Sequence, residues 1–248
     1  MAEPADILIR NISELLTLSG DNASPRKGKG MTDLGIINNG AVAISTERII
    51  AVGRTEEVEN KVESSPETRI INAEGKTVMP GFIDPHTHLI FAGSRENELH
   101  MKLQGKSYLD ILNSGGGILR TVRETRAAGS EELLFTARKR LDRMLALGTT
   151  TVEAKSGYGL DMDCEIKSLE VINKLDREHA VDLVPTYLGA HAIPPEFKDD
   201  SDGYVQLVTE EVLPKVAERK LARFCDVFCE KGVFSVAQSK RILLTGKD

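Results

Sequence analysis

The chain has no tryptophan and only 4% aromatic residues. Its three cysteines, Cys164, Cys225 and Cys229, are an odd and widely spread set, which excludes a disulfide framework. No apolar run approaches the roughly 18 residues that a membrane-spanning helix needs. The opening Met-Ala-Glu-Pro-Ala-Asp lacks the basic and apolar stretches of a secretory signal. Clustered positive charge is also missing. The 32 Lys and Arg against 38 Asp and Glu leave a formal charge of −6, which argues against nucleic acid or an anionic membrane as partner. Gly115-Gly116-Gly117 lacks the Gly-Lys-Ser/Thr ending and the dinucleotide spacing, so phosphate binding is rejected. What is present, 40% hydrophobic and 28% charged residues in a chain of 248, is ordinary for a soluble globular protein, and a cytoplasmic location is expected.

Residues 1–78 read as short strands joined by turns. Leu34–Ile37 and Ala41–Ile44 flank Asn38-Asn39-Gly40, and Asn-Gly between apolar runs signals a hairpin. A small antiparallel β domain is expected there. From residue 79 the pattern becomes strand alternating with helix. Leu133, Leu134, Ala137, Leu141, Met144 and Leu145 carry one helical stripe, and Ile166, Leu169, Ile172 and Leu175 carry another. Thr149–Val152, Val181–Leu188 and Ala222–Cys229 read as buried strands, and Pro214 predicts a break or kink inside the helical stretch 204–220. Strands alternating with amphipathic helices call for an α/β fold with parallel strands under helices. About four β/α units fit between residues 79 and 248, half of the eight in a complete barrel.

Several polar groups fall where strands run out. His86 and His88 are two apart, so on a strand both face one way together with Asp84; they are either a metal-gripping pair or a buried hydrogen-bonded pair. His191 ends the strand that includes Tyr187-Leu188-Gly189-Ala190, at the carboxyl end where α/β folds bind ligands, or is simply structural. Lys155-Ser156-Gly157-Tyr158-Gly159 follows another strand, and its glycines allow a sharp turn that pushes the Tyr158 phenol into a cleft or over the core. Arg95, in a polar loop soon after the histidines, is either a carboxylate clamp or a solvated surface charge. His100 and His179 read as surface residues, and Cys225 and Cys229 as core.

The segment Pro80-Gly81-Phe82-Ile83-Asp84-Pro85-His86-Thr87-His88 resembles the first barrel strand of the amidohydrolase superfamily. Phe91–Arg95, Gly115–Ile118, Glu153–Leu160, Tyr187–His191 and Asp226–Phe234, in that order and spacing, are similar to the imidazolonepropionase family within it. The resemblance implies a partial TIM-like barrel behind a small N-terminal β-sandwich-like domain. It also implies metal-dependent hydrolysis of 4-imidazolone-5-propanoate to N-formimidoyl-L-glutamate in histidine degradation, with one zinc or iron ion. On that resemblance His86 and His88 are metal ligands, Arg95 holds the propionate, and Tyr158 and His191 contact the ring, His191 as donor to its oxygen. Tyr108 is a second-tier substrate contact.

The family continues for roughly another barrel half, whereas this sequence ends at Thr245-Gly246-Lys247-Asp248. The resemblance therefore implies an N-terminal portion, its remaining metal ligands and general base lying beyond residue 248. Such a chain is expected to be inactive and poorly soluble alone, the complete form being a possible homodimer. Two other readings stay open: a two-metal cyclic amidohydrolase of dihydroorotase or hydantoinase type with Lys155 carboxylated, and a non-catalytic truncated form.

Overall fold

Strand β2 (Ile7–Leu16) is rich in β-branched and aliphatic residues and organises everything before residue 80. The computed structural model describes residues 2–20, 25–107, 110 and 114–247. It divides into two units, Met1–Pro80 and Gly81–Asp248. In the first, β2 pairs antiparallel with β3 (Ile36–Ser45), which pairs antiparallel with β4 (Arg48–Arg54). On its other side β2 takes parallel partners, β6 (Arg69–Asn72) and β7 (Thr77–Val78). A separate parallel pair joins β1 (Glu3–Pro4) to β5 (Val62–Glu63). The wholly antiparallel unit expected from the sequence is thus corrected to a mixed sheet. Helix α1 (Thr55–Glu59) lies between β4 and β5 and lets the chain return in the parallel sense. Two small buried clusters form on this unit: Leu8, Ala41 and Ala43 pack with Val58 and Val62, and Ile12, Leu15 and Val42 pack with Ala73.

The hairpin expected at Asn38-Asn39-Gly40 does not form, because β3 runs straight through those residues. Asn39 takes a left-handed φ of 51°, and the β2–β3 register slips between Ile9 and Ile12, where Asn11 has φ 55°. The extra residue of that slip lies on β2, where Arg10 and Asn11 together oppose Ala41, so the bulge is there and the Asn-Gly pair stays in register beside it. Glycine is needed at position 40 because a Cβ there would sit 2.8 Å from the Leu15 Cβ. The actual hairpin is the two-residue turn Thr46-Glu47, closed by the Ser45–Arg48 pair, with Thr46 at φ 55°.

The second unit is built on a four-stranded parallel sheet in the order β11-β10-β9-β8. Its strands are β8 (Phe82–Thr87), β9 (Thr149–Lys155), β10 (Asp182–Ala190) and β11 (Phe224–Val227). Helices α2 (Glu96–Leu103), α3 (Ile118–Ala127), α4 (Ser130–Ala146) and α5 (Met162–Glu178) intervene, and α8 (Val236–Lys247) follows β11. The stripes predicted on α4 and α5 are buried at Leu133, Ala137 and Leu141 with Leu169, Ile172 and Leu175, whereas Leu145, near the end of α4, is exposed. They close over Val152 and Ala154 of β9 and Leu183 and Tyr187 of β10. Pro214 does not end its helix. Helix α6 (Ser201–Leu207) passes through a π turn at Val208–Val212 into α7 (Leu213–Glu218). Widening the helix before Pro214 accommodates a ring that has no N–H to give.

Three expectations fail at the sheet edges and the helix ends. β11 is not buried: Phe224 is 60% exposed, because no described strand pairs with its outer side. Cys229, just beyond it, is exposed rather than core, while Cys225 packs against the core. The His179 side chain is only 7% exposed, since its Nδ1 accepts from the Val181 N–H and its Nε2 faces Asp142 at 3.2 Å. His100 on α2 is exposed, as expected.

Candidate active site

In a parallel sheet every strand delivers its following loop to one end. β8, β9 and β10 here deliver His88, the segment Ser156–Leu160 and His191. His86 lies on β8 and His88 one residue past its end, beyond a register irregularity between Asp84 and Thr87. His88 is partly buried and stacks on His191, with ring centroids 4.5 Å apart and planes at 13°. The Tyr158 ring completes a triangle, 4.8 Å from His88 and 5.3 Å from His191. His86 is exposed and close enough to contribute to the low pKa of His88.

Each imidazole is oriented by a backbone carbonyl. His88 Nδ1 is 3.0 Å from Ser156 O, and His191 Nδ1 is 2.9 Å from Gly157 O. A carbonyl only accepts, so in both rings Nδ1 carries the proton and Nε2 keeps its lone pair. Burial, reinforced by the neighbouring His191, brings the His88 pKa down to about 4. Burial likewise lowers His191. Both rings are therefore neutral at pH 7, the form in which an imidazole binds a metal. Tyr158 is pushed the other way: burial raises its pKa against the pull of Arg95, so the phenol keeps its proton.

Tyr158 also lines a cavity of about 610 Å³ whose wall includes Phe91, Arg95, Glu98, Thr121 and Arg140. The cavity lies beside the imidazole pair rather than over it, and Tyr158 is the residue common to both. Arg95 caps α2 and donates from Nε to Glu98 Oε2 at 2.9 Å. The buried Glu98 also accepts the Gly117 N–H at 2.8 Å, which fastens the triple-glycine turn to α2. Arg140, on α4, donates to Leu89 O and Phe91 O and stacks 3.6 Å above the Phe91 ring. Neither Glu98 nor Arg140 was singled out from the sequence. Glu98 could have been, as the i+3 partner of Arg95; Arg140 carries no sequence signal that distinguishes it from a surface arginine.

Lys155 is buried and held between Glu153 and Asp226, 2.9 Å from a carboxylate oxygen of each. Burial lowers its pKa, but these two carboxylates more than offset that, so the ammonium persists. Tyr108, expected to touch substrate, lies outside the described residues. For a metal the fit is partial. His86 and His88 are suitable nitrogen donors, and among the described residues no group of three or more His, Cys, Asp or Glu could hold an ion.

Comparison with known proteins bears on the family and the fold. A family model described as Amidohydrolase family matches residues 69–158. In structure the chain resembles a triazine hydrolase variant (TM-score 0.56, 16% identity, 95% of this chain and 49% of the other). It also resembles a mutant of the atrazine chlorohydrolase TrzN from Arthrobacter aurescens TC1 complexed with zinc and atraton (TM-score 0.52, 14% identity, 97% and 58%). At such identities the likeness concerns the fold. The fold and the family model together define a member of the amidohydrolase superfamily. Sequence narrows it further. The chain is 54% identical to the imidazolonepropionase of Alkaliphilus metalliredigens over 98% of its own length and 57% of that protein's. It is 50% identical to that of Geobacillus kaustophilus over 97% and 57%. It belongs to the imidazolonepropionase family and spans a little over half the length of the curated relatives it matches.

Proposed function

We propose that this chain carries part of a divalent-metal hydrolase that opens the ring of 4-imidazolone-5-propanoate to give N-formimidoyl-L-glutamate. One observation carries the reading: two neutral imidazoles and a protonated phenol converge at the strand ends, beside a cavity flanked by Arg95. His86 and His88 would hold zinc or iron, together with ligands outside the described residues, and the bound ion would supply an activated water. Arg95 offers the guanidinium edge not used by Glu98 to the propionate. Tyr158 donates its O–H to the ring oxygen, where negative charge grows as water adds to the carbonyl carbon. His191 in its present tautomer has an accepting Nε2, so it takes a ring N–H rather than donating to the oxygen. That alters the donor role expected from the family resemblance. The reading includes a small-molecule substrate, a cytoplasmic location and a homodimeric complete form. An ion-paired Lys155 disfavours the two-metal alternative, since an ammonium does not form a carbamate.

The test is calorimetric. Zinc should bind to the 248-residue chain weakly, through its two histidine ligands, and His86→Ala should weaken it further, at least about tenfold. Imidazole-4-propionate, a stable analogue, should bind to the same chain. Equal zinc affinity in the variant, or no uptake of the analogue, would refute the assignment.

A further inference from the structure

Glu165, in the first turn of α5, is 1% exposed, yet among the described residues no Lys or Arg pairs with it. An interior carboxylate without a cation is costly unless donors surround it. The donors are three backbone N–H groups of one loop, together with the Ser156 hydroxyl that opens it. Gly157 N lies 3.1 Å from both oxygens, and Gly159 N and Leu160 N lie 2.8 and 3.0 Å from Oε1. That loop takes backbone conformations that residues bearing a side chain rarely adopt. Gly157 sits at φ 108°, where a Cβ would be 2.7 Å from Leu188 O, and Leu160 sits at φ 55°. Such conformations persist only where the surroundings over-determine them.

The peptide between Ser156 and Gly157 is the informative one. Its N–H points to Glu165 and its C=O receives the Nδ1–H of His88. The next carbonyl, Gly157 O, receives His191. A single loop thus presents N–H groups to a buried carboxylate and C=O groups to both imidazoles, while its Tyr158 completes the ring triangle. A carboxylate hydrogen-bonded to a metal-binding histidine fixes the ring and raises its basicity. Here a peptide group stands between the two, and hydrogen-bond chains polarise along their length.

We propose that Glu165 is the positioning residue of this site, acting through the Ser156–Gly157 peptide on His88 and through the loop on Tyr158 and His191. The inference rests on the reading above that these three side chains serve one substrate. It is tested with Glu165→Met, which keeps the bulk and removes every acceptor, and Glu165→Gln, whose single carbonyl can replace Oε1 but carries no charge. The readouts on the 248-residue chain are nuclear Overhauser contacts among the His88, Tyr158 and His191 rings, and zinc affinity. Glu165→Met should abolish the Tyr158–His191 contact and lower zinc affinity between about 10- and 100-fold. Glu165→Gln should restore the ring contacts and leave zinc affinity a few-fold low. Unchanged ring contacts in Glu165→Met would overturn the proposal. Should that variant not fold, Glu165→Gln decides: zinc affinity equal to the parent's overturns it. If the parent chain itself binds no zinc, the proposed function fails, while the ring contacts still decide the role of Glu165.

Discussion

Arg95 divides its guanidinium between Glu98 and the cavity, so one residue both supports the local structure and can grip an anion. Arg95→Ala should weaken imidazole-4-propionate binding about tenfold or more, with zinc affinity unchanged, as calorimetry with each ligand will check. The variant should also lose about 1–2 kcal/mol of stability, because Glu98 stays buried without its cation. His88 gives a pH dependence. Its pKa in the folded chain, about 4, is below the ordinary 6.5, so the unfolded chain binds the extra proton first. The metal-free chain should hold its full share of stability above pH 6.5 and lose it as pH falls towards 4. The loss is of order 1–2 kcal/mol after solvent screening, and denaturant titration across that range measures it. His88→Ala should flatten the profile. The histidine and tyrosine positions were legible because they follow apolar strands. Glu165 and Arg140 were not, since a helical Glu or Arg looks the same in sequence whether it meets solvent or a loop's backbone.

Elements were legible where one periodicity ran long enough. α4 and α5 each announce themselves by a stripe of leucine, isoleucine and alanine that ends in the core. The Asn39-Gly40 signal misled because a left-handed Asn can also sit inside a paired strand, and only the pairing of both residues with β2 decides between strand and turn. The loop after β9 is the most constrained connection near the site. Gly157→Ala places a Cβ 2.7 Å from Leu188 O and 3.0 Å from the His191 Cβ at a φ of 108°. We expect it to cost more than about 2 kcal/mol in denaturant unfolding and to disturb the imidazole stack. Gly75→Ala, with a φ of 74° and open space around it, isolates the backbone contribution and should cost about 1 kcal/mol.

At the scale of the chain, the four-stranded sheet has unpaired outer strands, β8 and β11, among the described residues. Ile83 on β8 and Phe224 on β11 are more than half exposed, as is Leu244 on α8. Open strand edges with apolar neighbours associate. The purified chain should scatter more light as its concentration rises, and Phe224→Lys should reduce that. Hydrolysis of 4-imidazolone-5-propanoate by this chain alone should be undetectable, because two histidines fall short of the three protein ligands that catalytic zinc takes. The sequence by itself determined the alternation of strand and helix, the stripes that form the core, and which strand ends carry imidazole, phenol and guanidinium, because each depends on residues close together along the chain. Only the tertiary structure decided that Asn39-Gly40 pairs with β2 rather than turning, that Lys155 is locked between two carboxylates, and that Glu165 faces the backbone of the loop that aims both imidazoles. Those outcomes depend on partners brought together by folding, which no local pattern records.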